Sequence, residues 1–313
     1  MEQIIAGAIS SAIVMGVVVI LAGIGEVMSQ RTGVMNLGIE GMMAIGALTG
    51  IMIGNIEGTN VWIAMLAAIA AGLVAGAIFA IITVSFRANQ VVAGLGFTFL
   101  ANGLTGQIGR PYVGYPGSLR LTPLEIPYLS DLPYIGKALF SHNLVVYFSC
   151  IILPFAAYYL IFKTRHGLHI RAVGQNPEAA DAHGIHVNKL RFFYVTIGGA
   201  LASAAGAYLT LAVVPSWTPG MAAGRGWIAI ALVIFANWNP IYLVMGGILF
   251  GAANSLSYVV QIQGLNIPSA ILFMLPYLLT LALMLISSAS RETKGLEKTG
   301  IGPAALMMPF YRE

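Results

Sequence analysis

Long apolar stretches alternate with short polar ones along the chain. Uncharged runs near 3–25, 41–56, 61–86, 88–109, 143–162, 192–214, 226–237, 241–262 and 267–290 each read as a candidate membrane helix, since about 20 apolar residues span the hydrocarbon core. Two runs fall short. Run 41–56 is brief, and 226–237 crosses only if it extends or the membrane thins. The pattern predicts an all-α polytopic membrane protein with about nine transmembrane helices, eight and ten remaining open. It also predicts one transmembrane domain over 1–313, interrupted by a polar loop at 163–191 and followed by a polar tail at 291–313.

Composition sharpens this picture. The chain is 58% hydrophobic and 8% charged, against about 25% charged in soluble domains. No Asp, Glu, Lys or Arg occurs from Gly226 to Ser290. The first run lacks a basic leader and is too long for a cleaved signal peptide, so it reads as a retained span. The single cysteine, Cys150, excludes an intrachain disulfide. Small residues recur every four positions at Gly46, Gly50 and Gly54, at Gly72 and Gly76, and at Gly247 and Gly251. Such spacing lets helix backbones approach closely, within the chain or between subunits.

The net charge of +4 matters less than its distribution. Placing loop 163–191 in the cytoplasm also puts Arg31, Arg87 and the tail residues Arg291, Lys294, Lys298 and Arg312 inside, so 11 of the 15 basic residues are cytoplasmic. Arg110, Arg120, Lys137 and Arg225 then lie outside, and so does the N-terminus unless one extra crossing near 26–56 reverses it. The polar segment 110–142, rich in Pro, Gly and Tyr, becomes the longest outer loop.

Within the inner loop, "GQNPEAADAHGI" carries the signals of a short helix. Asn176 suits the N-cap, Pro177 the first helical position, Glu178 and Asp181 the positive helix start, and Gly184 a left-handed ending. At 1.5 Å per residue such a helix is about 10 Å long, too short to cross a membrane. It either docks on another surface or is a helical turn in a solvated loop.

Polar residues inside the runs are the other candidates. Glu40, just before run 41–56, should lie near a membrane end, be paired, or face water, with Arg31 as a possible partner. Asn36, Asn89, Gln90, Asn102 and Asn254 carry amides that could meet the mixed edges of a nucleobase or the hydroxyls of ribose, or could bond other helices. Phe97, Trp217 and Trp227 could stack on a base, although Trp at a span end commonly anchors the interface. The pairs His166/His169 and His183/His186 have no nearby Cys and read as solvated loop rather than a metal site. No H-E-x-x-H, G-x-S-x-G or G-x-x-x-x-G-K-[ST] occurs, so these two catalytic signatures and the nucleotide phosphate loop are absent.

Several stretches resemble one family in its own order. "SQRTGVMNLGIEGMMAIGA", "ANQVVAGLGFTFLANGLTG", "GLHIRAVGQNPEAADAHGIHVNKLRFF" and "GRGWIAIALVIFANWNP" look like segments of permease subunits of ABC importers of the branched-chain amino acid, ribose and nucleoside type. "NLGIEGMM" and "ANQVV" look most like the nucleoside-type permeases. The resemblance implies that Gly174, Asn176, Pro177, Glu178, Ala179, Ala180, Asp181 and Gly184 form a coupling helix seated in a cytoplasmic ATPase. It further implies a second permease chain, an ATP-binding subunit holding ATP and magnesium, and a substrate-binding lipoprotein or periplasmic protein. The expected setting is a bacterial inner membrane and its lipid, with nucleoside cargo, no cofactor on this chain, no chemistry on the cargo and no nucleic acid. Asn36, Glu40, Asn89, Gln90 and Asn102 are the candidate translocation path. Sugar or branched-chain amino acid cargo is the alternative within the class. An ion-coupled secondary transporter is the alternative outside it, and that class predicts acidic or His relays within the spans.

Overall fold

A computed structural model describes residues 2–56, 58–114, 116–130, 136–262, 268, 271–272, 274–282, 285 and 302–312. The chain is all-α and polytopic. Six helices among the described residues are long and apolar enough to cross a membrane. They are α1 (Glu2–Arg31), α3 (Val61–Ala80), α4 (Gln90–Ile108), a continuous helix built from α6 (Leu144–Tyr147), a π turn and α7 (Leu153–Lys163), α10 (Val187–Tyr208), and α12 (Pro240–Ile262). Both α3 and α10 continue through a further π turn, Ile81–Ser85 and Leu209–Val213. Two apolar helices are shorter, α2 (Ile39–Gly54) and α11 (Arg225–Phe235). The short helix α5 (Gly136–Phe140) and the two-stranded pair β1 (Leu124–Glu125) and β2 (Ser141–His142) belong to the connection after α4. Between α7 and α10 lie α8 (Arg165–Gln175) and α9 (Pro177–Ala182). The described residues of run 267–290 that have regular structure, 271–272, 274–282 and 285, are helical.

The centre of the bundle is α10, with α1, α2 and α3 against it. Glycine makes this approach possible. A Cβ at Gly46 would run into the Ser203 carbonyl, and one at Gly72 would meet Ser203 and Gly199. Gly247 and Gly251 do the same for α12 against Ile20 and Ala12 of α1. The small-residue spacing therefore serves packing within the chain. Hydroxyls stitch the same contacts: Ser203 Oγ donates to the Ala68 carbonyl (2.6 Å) and Thr210 Oγ1 to that of Ala47 (3.1 Å), each worth about 0.6 kcal/mol among membrane helices.

Chain ends sort into two groups. At one end meet the loop after α1, the α8–α9 loop, the turn before α12 and tail residues 302–312. Arg31 bonds the Trp238 carbonyl, Arg191 bonds those of Thr32 and Met308, and Arg87 lies over Tyr311. At the other end Ser118 meets Asn55, and Gly117 and Leu121 bond the Pro215 and Leu211 carbonyls. The basic groups that charge patterning assigned to one side are thus gathered at one end. Residues 291–301, with Arg291, Lys294 and Lys298, lie outside the described residues.

Candidate functional site

The two short helices meet end to end inside the bundle. After α1 the chain turns back through 32–38, and α2 starts at Ile39, well inside the bundle. Gly41 packs on Thr98 and Ala101 of α4, which puts it about 12–16 Å along that helix from Gln90 at 1.5 Å per residue. From the opposite end, 214–224 enters as irregular backbone and α11 starts at Arg225. Irregular backbone at membrane depth is tolerated where protein or a cavity surrounds it. Such broken helices are where transporters commonly place substrate sites.

Glu40 joins the two helix starts. One carboxylate oxygen accepts from the Gly224 N–H (2.6 Å) and the other from the Gly226 N–H (2.7 Å). A carboxylate is favoured at the positive end of a helix, and here it serves both starts. Of the alternatives open for Glu40, the one found is pairing, through the backbone N–H groups at the start of α11. Arg31 bonds the carbonyls of Asn237 and Trp238 and faces the Phe162 ring at the basic end, while the basic residue whose charge acts on Glu40 is Arg225. Charge counting places Arg225 on the outer side of the membrane, and the structure adds its surroundings. Arg225 sits between the two glycines that Glu40 holds, and with Asn254 and Tyr258 it lines a cavity of about 190 Å³ otherwise walled by Met15, Val18 and Leu209 among others.

The other candidate path residues separate in space. Asn89 lies before α4 rather than within a span: it is exposed and caps the helix, its Oδ1 accepting from Val91 and Val92. Gln90 is buried and holds the 32–38 segment by accepting from the Met35 N–H (2.8 Å). Asn36 is buried, its amide nitrogen on the Met42 sulfur (3.3 Å), and its Oδ1 lacks a hydrogen-bond partner, as does Oδ1 of Asn102. Asn254 bonds the Phe250 carbonyl in its own helix. Trp217 is fully buried beside Gly109 rather than anchored at an interface, and Phe97 packs on Gly38 and edge-on against Phe79.

Sequence reasoning missed a buried polar network. Helix α1 runs past the end of the uncharged run, so Glu26, Ser29 and Gln30 are interior residues. Glu26 accepts from the Asn36 N–H and from Gln30 (both 2.9 Å), and Gln30 in turn accepts from the Trp238 indole (2.6 Å). The signal was the apolar flank of Glu26 in "AGIGEVM", which continues the helix instead of ending it.

At the basic end the expected short helix is present. Asn176 Oδ1 accepts from the Ala179 N–H (2.9 Å), Pro177 opens α9, and Gly184 adopts φ +81° just after it. Pro177 and Ala180 face inward, while Glu178, Ala179, Ala182 and His183 form an exposed ridge. The preceding helix α8 was not expected, although Gly167, Ile170, Val173 and Gly174 recur at helical spacing and are all buried. Gly174 lies so close to the Arg31 carbonyl that a Cβ would not fit. Movement of α8–α9 therefore bears directly on the end of α1.

A permease built of bundled membrane helices with a small capped helix at its basic end is the class these features define. The chain belongs to the family described as branched-chain amino acid transport system / permease component, which matches residues 8–288. It is similar to a Haloferax volcanii ABC transporter permease protein provisionally named for glucose, with 37% identity covering 98% of both chains. It is also similar to a guanosine ABC transporter permease protein of Bacillus subtilis, at 35% identity over 89% of this chain and 91% of that one. A nucleoside ABC transporter permease protein of Lactococcus lactis is 34% identical over 85% and 87%. No solved structure matches. The chain is thus a multi-pass ABC permease subunit, a transport component and not an enzyme, and its family associates with an ATP-binding subunit and a substrate-binding protein.

Proposed function

We propose that this chain is the membrane subunit of an ATP-driven nucleoside importer in a bacterial inner membrane. It would pair with a second permease chain, receive cargo from a binding lipoprotein or periplasmic protein, and take its drive from an ATPase that carries the ATP and magnesium. The observation that carries the reading is α9, capped by Asn176 and presenting Glu178, Ala179 and Ala182 outward. A six-residue helix has little stability alone, and its outward ridge suits the groove of an ATPase in the cytoplasm. Nucleoside cargo is supported by the "NLGIEGMM" and "ANQVV" stretches and by two of the three relatives above, while the third keeps a sugar as the second reading.

For the cargo path, the junction of α2 and α11 is favoured over Asn89, whose side chain is spent as a cap. Arg225 and Asn254 offer donors and acceptors, and Tyr258 offers a ring, to a polar base or ribose at the cavity beside that junction. Alternating access would follow when ATPase closure displaces α8–α9, which rest on the end of α1. Replacing Asn176 and Pro177 together by Trp should abolish uptake of labelled uridine while the chain still inserts in the membrane. Unimpaired uptake in that variant would remove the coupling assignment.

A further inference from the structure

Tail residues 302–312 return to the basic end and bind across the coupling region. The Ala305 N–H donates to the Gly174 carbonyl (2.9 Å), and Gln175 Nε2 to that of Gly302 (2.7 Å), which fixes the tail to the last turn of α8. The Met307 N–H donates to the Gly33 carbonyl (3.0 Å) just after α1. Arg191 of α10 spans both, donating through Nε to the Thr32 carbonyl (3.0 Å) and through Nη1 to that of Met308 (2.9 Å). The Phe310 side chain is buried with Val173 of α8, Ala180 of α9 and Val187 of α10. Beyond it, Tyr311 lies under the Arg87 guanidinium at the turn before α4 (4.6 Å), and Arg312 pairs with Asp181 of α9 (3.2 Å). The Arg312 side chain is 63% exposed, so that ion pair adds little. Phe310 and the backbone bonds are what hold the segment.

We infer that residues 302–312 are a strap that makes α8, α9 and the adjoining ends of α1, α4 and α10 one mechanical unit, so that a push on α9 reaches the membrane helices. The inference rests on α9 being where the ATPase acts. In α9 only Pro177 and Ala180 are buried, and Ala180 packs in one cluster with Phe310 itself, so without the strap a push on α9 would be absorbed by local movement. Phe310 is accordingly a positioning residue. It completes the pocket under α9 and leaves the outward ridge of Glu178, Ala179 and Ala182 free.

The test uses the assembled complex in liposomes and reads cargo moved per ATP hydrolysed. Phe310→Ala, and separately truncation after residue 301, should leave the ATPase bound but lower cargo moved per ATP by about 5- to 150-fold, the range of ordinary coupling energies. A purely structural role would lower assembly, hydrolysis and transport in proportion and leave the ratio unchanged, and that result overturns the inference. Arg87→Cys with Tyr311→Cys, in a Cys150→Ala background, lets a short bifunctional thiol reagent hold the strap down. Transport should persist after cross-linking. Its arrest would show that the strap must release, which also overturns the inference. Ala179→Trp separates the two readings. If it blocks transport while Phe310→Ala does not change the ratio, only the strap falls. If it is harmless, α9 is not the input and both fall.

Discussion

Glu40 is a carboxylate held in the interior by two backbone N–H groups, and its replacement has a definite cost. Glu40→Ala leaves the Gly224 and Gly226 N–H groups without their acceptor, at about 1–3 kcal/mol for the buried Gly226 group and less for the half-buried Gly224 group. Glu40→Gln keeps one acceptor and turns a donor toward the other N–H. Both should lower the melting temperature in detergent and reduce transport, Ala more than Gln. An alanine variant with unchanged melting and transport would mean that the junction of α2 and α11 is not held this way. The importance of Glu40 was legible, because a lone acid beside an apolar run demands a partner. The partner itself was not, since Gly224 and Gly226 are distant in sequence and contribute backbone, which no residue pattern announces. Glu26 escaped for the opposite reason. Marking runs by the absence of charge ends them at the first acid, whereas the helix continues through it to Arg31.

The elements show the same division. Among the described residues six long runs became long helices, and the two runs flagged as too short became the two short helices whose starts meet at Glu40. The brevity that weakened them as spans was the mark of the site. Caps written in local residues were readable, as Asn176 and Gly184 show for α9, while α8 was overlooked because its four buried positions sit among charged neighbours. The connection after α4 carries a pH-sensitive contact. His142 of β2 bonds the Ala138 carbonyl (2.9 Å), and burial pushes its imidazole below the ordinary value of 6.5. A folded-state value below the unfolded one leaves stability intact above 6.5 and erodes it as pH falls from there, because the unfolded segment takes up the proton first. Amide protection across 136–147, corrected for intrinsic exchange, should therefore weaken on acidification in the wild type and lose that dependence in His142→Gln. Protection that stays constant in the wild type would exclude the titration.

For the whole molecule, α1 and α10 pack both on the α8–α9 pair at the basic end and on the two short helices α2 and α11 in the interior. The intramembrane acids that an ion-coupled transporter would need are present as Glu26 and Glu40. Glu40 is held through both oxygens by backbone N–H groups, Glu26 accepts through Oε1 alone while its Oε2 has no hydrogen-bond partner among the described residues, and the family is one of ABC permeases. Cargo is the claim on which the functional account turns, because the relatives divide between sugar and nucleoside names. The direct measurement is uptake of labelled uridine, guanosine, ribose, glucose and leucine by cells with and without this chain, each in the presence of an agent that collapses ion gradients. The account predicts a chain-dependent loss confined to uridine and guanosine that persists when the gradients are gone. Loss of glucose or ribose uptake alone, or nucleoside uptake that vanishes with the gradients, would contradict it.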